Sequence, residues 1–295
     1  MSREIVAGVD GSPESLAAAD WAAREALHRG LPLRLVHAWR WEPLDLPLAQ
    51  DPTTQQRAAR EVLGAAETAL AERYPELSLS AELIGDTPVA ALLGTTGRAE
   101  LLALGSRGHG AVTGFLLGSY GQQVIAAATV PVVAVRSRDG APAEPPAGEI
   151  LVGQHGSPED SAAVLRFAFE TAAARGASVR AVRAWSLPPL FAYSPSSLML
   201  ADEAGGLVPY EEKALREALA PWRERHPDVP VTEHVELGSA GQVLLSGSGA
   251  AQLLVVGRRA RRGALGARIG SVAHAALHLA PCPVAVVPQE VDAQD

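Results

Sequence analysis

The chain is short of several things, and each shortage closes off a class of function. It has one cysteine, Cys282, in 295 residues. An intrachain disulfide and a C-x-x-C metal site are therefore excluded. The setting Ala280-Pro-Cys-Pro-Val, ahead of the last expected strand, assigns the thiol to packing. Lys213 is the only lysine among 25 basic residues, which removes mechanisms that need a phosphate-binding or Schiff-base lysine elsewhere. No G-x-x-x-x-G-K-[ST] sequence occurs, so the chain is not a P-loop NTPase. Apolar runs stay well under the roughly 18 residues of a membrane span. The opening MSREIVAGVDGS carries Glu4 and Asp10 and has no apolar core of a signal peptide, so a cytoplasmic protein without a membrane partner is expected. A basic surplus is missing too: the net charge is −8, which argues against nucleic acid as a partner.

What is present is said twice. Residues 5–15 read IVAGVDGSPES and residues 150–160 read ILVGQHGSPED. Residues 29–39 read RGLPLRLVHAW and residues 175–185 read RGASVRAVRAW. Gly105-Ser-Arg-Gly108 is followed after nine residues by Gly118-Ser119, and Gly257-Arg-Arg-Ala260 after nine by Gly270-Ser271. The period is too long for a solenoid, so the repeat marks two homologous domains, residues 1–136 and 149–288. Between them SRDGAPAEPPAG, residues 137–148, reads as a semi-extended linker, and residues 289–295 as an acidic tail.

Within each half, strands and helices alternate. Ile5–Val9 is a strand-like apolar run. Ser12-Pro13-Glu14 then starts a helix, with serine as cap, proline in the first turn and an acid at the positive end, and Gly30 stops it after Arg29. Ser157-Pro158-Glu159 and Gly176 repeat the device. Strands are expected at Leu33–Trp39, Leu77–Leu83, Leu101–Leu104 and Pro131–Val135, and helices at Thr53–Arg73, Pro88–Thr96 and Ser119–Ala128. Residues 41–52 and 186–209 read as long loops. Such alternation implies an α/β fold, a parallel doubly wound sheet in each domain, with ligands beyond the C-terminal strand ends at the switch point.

The chemistry falls at that place. Gly105 directly follows the strand ELLAL, Gly108 and Gly110 lie beyond it, and Gly118-Ser119 opens the next helix. Glycines there suit positive φ or close approach of a ligand, and free N–H groups at a helix start suit an anion. Ser119 and Gln122 have the spacing of a capping box. Asp10, at the end of the first strand, suits ribose hydroxyls, an adenine amino group or a metal; a plain turn aspartate before Gly11 is the competing assignment. Trp39 and Trp185 occupy equivalent strand ends and are assigned to packing.

On Asp10-Gly11-Ser12, LVHAW, the full G-x2-G-x9-G-[ST] signature and the closing Val130-Pro131-Val132, the chain resembles the universal stress proteins, in a tandem form with two such domains. The resemblance implies two Rossmann-like domains of the adenine nucleotide alpha hydrolase type, each a five-stranded parallel sheet in the order 3-2-1-4-5 flanked by helices. It implies ATP as the ligand, with Mg²⁺ or Mn²⁺, and a homodimer formed through fifth strands and domain contacts. In domain 1 it assigns Gly8, Val9 and Asp10 to the adenosine end and Ala38 to the adenine. Leu104, Gly105, Arg107, Gly108, His109, Gly118, Ser119 and Tyr120 then fall around the phosphates. The equivalents in domain 2 are Gly153, His155, Ala184, Val256, Gly257, Arg258, Ala260, Gly270, Ser271 and Val272.

Domain 2 departs from the pattern twice. His155 stands where domain 1 has Asp10, and imidazole accepts one hydrogen bond when neutral and none when protonated. Ala260 replaces the second glycine, at a cost on the order of 1 kcal/mol if that position needs positive φ. Arg258, Arg259, Arg261 and Arg262 offer phosphate an attraction in return. A competent and a degenerate second site therefore both stand open. The expected function is that of a nucleotide-binding regulator of the stress response. A weak ATPase using Asp10 and His109, or a nucleotide-free scaffold, are the alternatives.

Overall fold

A computed structural model describes residues 3–40, 52–108, 115–116, 118–138, 141–142, 148–186, 206–258 and 269–289. The chain divides into two compact units, residues 1–143 and 144–295.

In the first unit, β1 (Glu4–Gly8) is flanked by β2 (Leu33–Ala38) and β4 (Ala99–Gly108), β3 (Leu79–Ile84) lies beyond β2, and β6 (Val132–Arg138) beyond β4. All four pairings are parallel, which gives the order 3-2-1-4-5. The helices are α1 (Pro13–Arg29), α2 (Pro52–Arg73), α3 (Pro88–Thr95) and α4 (Ser119–Ala127). Right-handed crossovers put α1 and α2 on one face and α3 and α4 on the other. In keeping with this, α1 touches α2 and α3 touches α4.

Sequence explains the helix ends. The Ser12 hydroxyl accepts from Ser15 N, Pro13 opens α1, and Gly30 closes it at φ 63°. The buried side of α1 is a strip of small residues, Ala18, Ala19, Ala22, Ala23 and Ala26, with Trp21 between them. Small residues bring the helix close to β1, β4 and β6. The branched strands Ile5–Ala7 and Leu101–Ala103 are fully buried, as central parallel strands must be.

The second unit repeats the plan with β8 (Glu149–Gly153), β9 (Ser178–Trp185), β10 (Val231–Leu237), β11 (Ala251–Arg258) and β12 (Val284–Pro288). Its parallel pairings again give 3-2-1-4-5. Its helices are α5 (Pro158–Arg175), α6 (Leu207–Arg225), α7 (Ala240–Gly247) and α8 (Ser271–Leu279). Ser157 caps α5 in a full capping box with Asp160, and Gly176 ends it at φ 63°. On β10 the inward row is Val231, Glu233 and Val235; Glu233 is accommodated there by Arg223 Nη1 of α6 at 2.5 Å. Cys282 is a buried thiol, 2% exposed.

Three expectations need correction. The fourth strand does not stop at Leu104 but continues through Gly108, because Arg107 and Gly108 pair antiparallel with β5 (Phe115–Leu116). The interdomain segment does not begin as an open tether: Ser137 and Arg138 form an antiparallel pairing with β7 (Ala141–Pro142). Residue 207 already opens α6, so the loop expected to run to residue 209 ends sooner.

Candidate functional site

In domain 1 the switch point lies between β1 and β4, where the order of the strands turns from β2 and β3 on one side to β6 on the other. The chain leaves β1 at Val9, whose N–H donates to Val36 O at 2.9 Å. His37 Nδ1 donates to Val9 O at 2.5 Å, which ties the end of β1 to β2. Asp10 follows, exposed. One of its oxygens, Oδ1, accepts from Ser12 N at 3.0 Å and from the Ser12 hydroxyl at 2.5 Å. Gly11 between them has φ 81°, a conformation that suits glycine. The strand-end carboxylate is thus held by the cap of α1.

The signature glycines divide by role. Gly105 does not adopt positive φ; a Cβ there would lie 2.6 Å from Glu14 C and 2.7 Å from Glu14 O and Ser15 N. Its reason is the close passage of α1 over β4, not a strained turn. Gly118 has φ −56° and open space where a Cβ would point. It is also the cap of α4, so the expected capping box on Ser119 and Gln122 is not formed: Ser119 is the first helical residue and no side chain caps the helix. Ser119 and Tyr120 are exposed, Leu104 is buried, and Gly8 has Leu104 Cδ2 2.9 Å from its would-be Cβ. Ala38 ends β2 half-buried, beside Ile84 of β3. Arg107 and Gly108 are placed by their backbone in β4, and His109 and Gly110 lie outside the described residues.

Domain 2 brings the equivalent residues around one cavity of about 330 Å³. Its wall includes Gly153, His155, Ala184, Val256, Gly257, Gly270, Ser271 and Val272, drawn from the ends of β8, β9 and β11 and the start of α8. The cap of α8 is Gly270, again without a side-chain hydrogen bond. First-turn N–H groups with no capping side chain, on the wall of a cavity, are donors suited to an anion. Arg258 is not on this wall among the described residues; it is buried at the end of β11, opposite Pro288. Ala260 and the arginines from 259 to 262 lie outside the described residues.

The wall also holds residues the motif reading passed over: Gln154, Asp160, Ser161, Val164 and Gln289. Gln154 replaces Val9 and is only 3% exposed, so each polar atom needs a partner. Its Nε2 donates to Gly156 O and to the Ser161 hydroxyl, each at 3.2 Å. Its Oε1 accepts from Arg183 Nη1 at 2.5 Å. Arg183 replaces His37, and its Nε reaches Glu211 Oε2 of α6 at 2.5 Å. A two-residue tie in domain 1 has become a polar network linking β8, β9, α5 and α6. The signal was available in the sequence: Gln154 and Arg183 change together in the repeat. Asp160, at the third residue of α5, stands where α1 has Ser15. Gln289, just past β12, donates to Asp160 O at 2.9 Å. Among the described residues, no group of three or more His, Cys, Asp or Glu is placed to hold a metal ion.

Comparison with known proteins agrees with this architecture. The family described as the Universal stress protein family matches residues 1–136 and again 147–288. The chain is 37% identical to Universal stress protein Rv2005c of Mycobacterium tuberculosis over 300 residues, covering 97% of each chain. It is 33% identical to Universal stress protein Rv1996 of the same organism, covering 97% of this chain and 96% of that one. The crystal structure of a universal stress protein from Archaeoglobus fulgidus superposes with a TM-score of 0.68 at 18% identity, covering 98% of this chain and all of that one. With two matches along its length and relatives of this identity, the chain belongs to the Universal stress protein family.

Proposed function

We propose that this chain is a regulatory adenine-nucleotide-binding protein that holds ATP at its strand-end sites in the cellular response to stress. The observation that carries the reading is the cavity of about 330 Å³ in domain 2. Its volume falls within the usual range of small-molecule sites. Its wall is made of strand ends, glycines and an uncapped helix start, the parts that nucleotide sites of this fold class use. Domain 1 repeats the same frame, with the complete glycine signature and a permanent carboxylate at Asp10.

The residues fit such a ligand. Asp10 would accept from ribose hydroxyls, Ala38 and its neighbours would face the base, and Gly118, Ser119 and the N–H groups of α4 would meet the phosphates. A magnesium or manganese ion accompanying ATP would add charge neutralisation and would be held mainly by the phosphate oxygens. Binding of ATP to one conformation stabilises it by its differential affinity, which is how a ligand without turnover transmits a signal. We place homodimerisation in the same proposal.

Two measurements test it. Protein purified from cells is denatured and the supernatant analysed for adenine nucleotide; thermal melting is then recorded with and without ATP and Mg²⁺. Ligand at 100 times its Kd raises stability by about 2.7 kcal/mol, a shift of several degrees. Released adenine nucleotide, or a shift of that size, supports the proposal. Neither would leave an interaction scaffold as the better account.

A further inference from the structure

The loss of Asp10 at position 155 suggests a dead second site, but the geometry points to a relocated carboxylate. We infer that domain 2 recognises the ribose hydroxyls of an adenine ribonucleotide through Asp160, five residues beyond His155 and the third residue of α5; this rests on the nucleotide reading above. In domain 1, Asp10 Oδ1 accepts from the N–H of Ser12, the cap of α1, at 3.0 Å. In domain 2, Asp160 Oδ2 accepts from the N–H of Ser157, the cap of α5, at 3.0 Å. Ser12 and Ser157 are the same position of the repeat. One carboxylate reaches that amide from two residues before it and the other from three residues after it. The acid has moved in sequence while keeping its anchor in the fold.

The exchange is paired. Where the strand-end acid became His155, Ser15 became Asp160. Gly156, at φ 77°, makes room for the arrangement: a Cβ there would lie 2.6 Å from Asp160 Oδ2. Asp160 stands on the wall of the cavity beside His155, Gly153 and Ala184. An ionised carboxylate offers about four lone-pair sites, so it accepts from a ligand's vicinal hydroxyls alongside its own anchor. Neutral imidazole can accept only one bond, so His155 does not substitute for it.

The test titrates the full chain with ATP–Mg²⁺ and with 2′-deoxy-ATP–Mg²⁺ by calorimetry, for the wild type and for Asp10→Asn, Asp160→Ser and the double variant His155→Asp/Asp160→Ser. Serine is the residue domain 1 carries at this position, and the Ser157 cap remains. The wild type should show two sites. Asp160→Ser should weaken one of them about tenfold to a hundredfold, the size of a lost hydrogen bond to a charged group. At that site the preference for ATP over 2′-deoxy-ATP should fall to near unity. The double variant should recover both affinity and preference, which a merely misfolded site would not. Two sites unchanged by Asp160→Ser would overturn the inference, as would an unchanged ribose preference. A single wild-type site, abolished by Asp10→Asn and indifferent to residue 160, would overturn it and leave the proposed function standing. No binding by the wild type would overturn both.

Discussion

Adding one methyl group at Gly105 should damage domain 1 without any ligand being involved. A Cβ there would sit 2.6 Å from Glu14 C, with Glu14 O and Ser15 N at 2.7 Å. These are backbone atoms of the first turn of α1, so no side chain can swing aside. Relief requires α1 to lift from β4, where it also covers β1 and β6. Overpacking of a well-filled core costs about 1–3 kcal/mol, and a backbone clash belongs in the upper half. With a urea dependence of about 2 kcal/mol per molar, Gly105→Ala should lower the unfolding midpoint of domain 1 by about 1 M. Because two domains need not unfold together, the assay is hydrogen exchange by mass spectrometry against urea, following peptides of 13–29 and, as an internal control, 158–175. Gly257→Ala is the comparison: its nearest contact is Val164 Cγ2 at 3.0 Å, a side-chain methyl that can give, so the loss should be smaller. A Gly105→Ala midpoint within 0.2 M of wild type, a margin of about 0.4 kcal/mol by the same urea dependence, would refute the close-approach explanation.

Gly118→Ala and Gly270→Ala should behave in the opposite way: open space surrounds each would-be Cβ, so stability should fall only by the preference for glycine over alanine at a helix cap, about 1 kcal/mol or less, while ATP affinity, read by calorimetry, falls about tenfold or more. Tyr74 should ionise well above the ordinary tyrosine range in a spectrophotometric titration, since burial first, and then its hydrogen bond to Asp20, push its hydroxyl from 10.0 to about 12. The folded state then favours the neutral phenol, so this contribution to stability is complete below pH 10 and is lost as pH rises toward 12; Tyr74→Phe should remove that part of the alkaline decline. Arg183→Ala removes hydrogen bonds to Gln154, Gly156 and Glu211 and should cost domain 2 about 2 kcal/mol in urea unfolding, whereas the corresponding His37→Ala in domain 1 should cost less.

The parts of the fold legible in the sequence are those written in local chemistry. Ser12-Pro13 and Gly30 bracket α1, Ser157-Pro158 and Gly176 bracket α5, and buried branched runs mark the central strands. What was not legible depends on contacts distant in sequence. Leu101–Leu104 stops looking like a strand where Gly105 begins, yet pairing with residues 115 and 116 carries the strand to Gly108. Ser119 and Gln122 have the spacing of a capping box, but the helix begins one residue too early for Ser119 to act as its cap. Gly105 does not take the positive φ that a turn glycine suggests, and only the passage of α1 above it reveals the close contact. Asp160 holds a helix position that looks like ordinary capping, and its place on the cavity wall appears only in three dimensions.

The central claim is that each domain carries an adenine-nucleotide site at its strand ends. It is tested most directly by equilibrium dialysis of the intact chain against saturating labelled ATP with Mg²⁺. The account predicts two nucleotides bound per chain; one or none bound at saturation would contradict it.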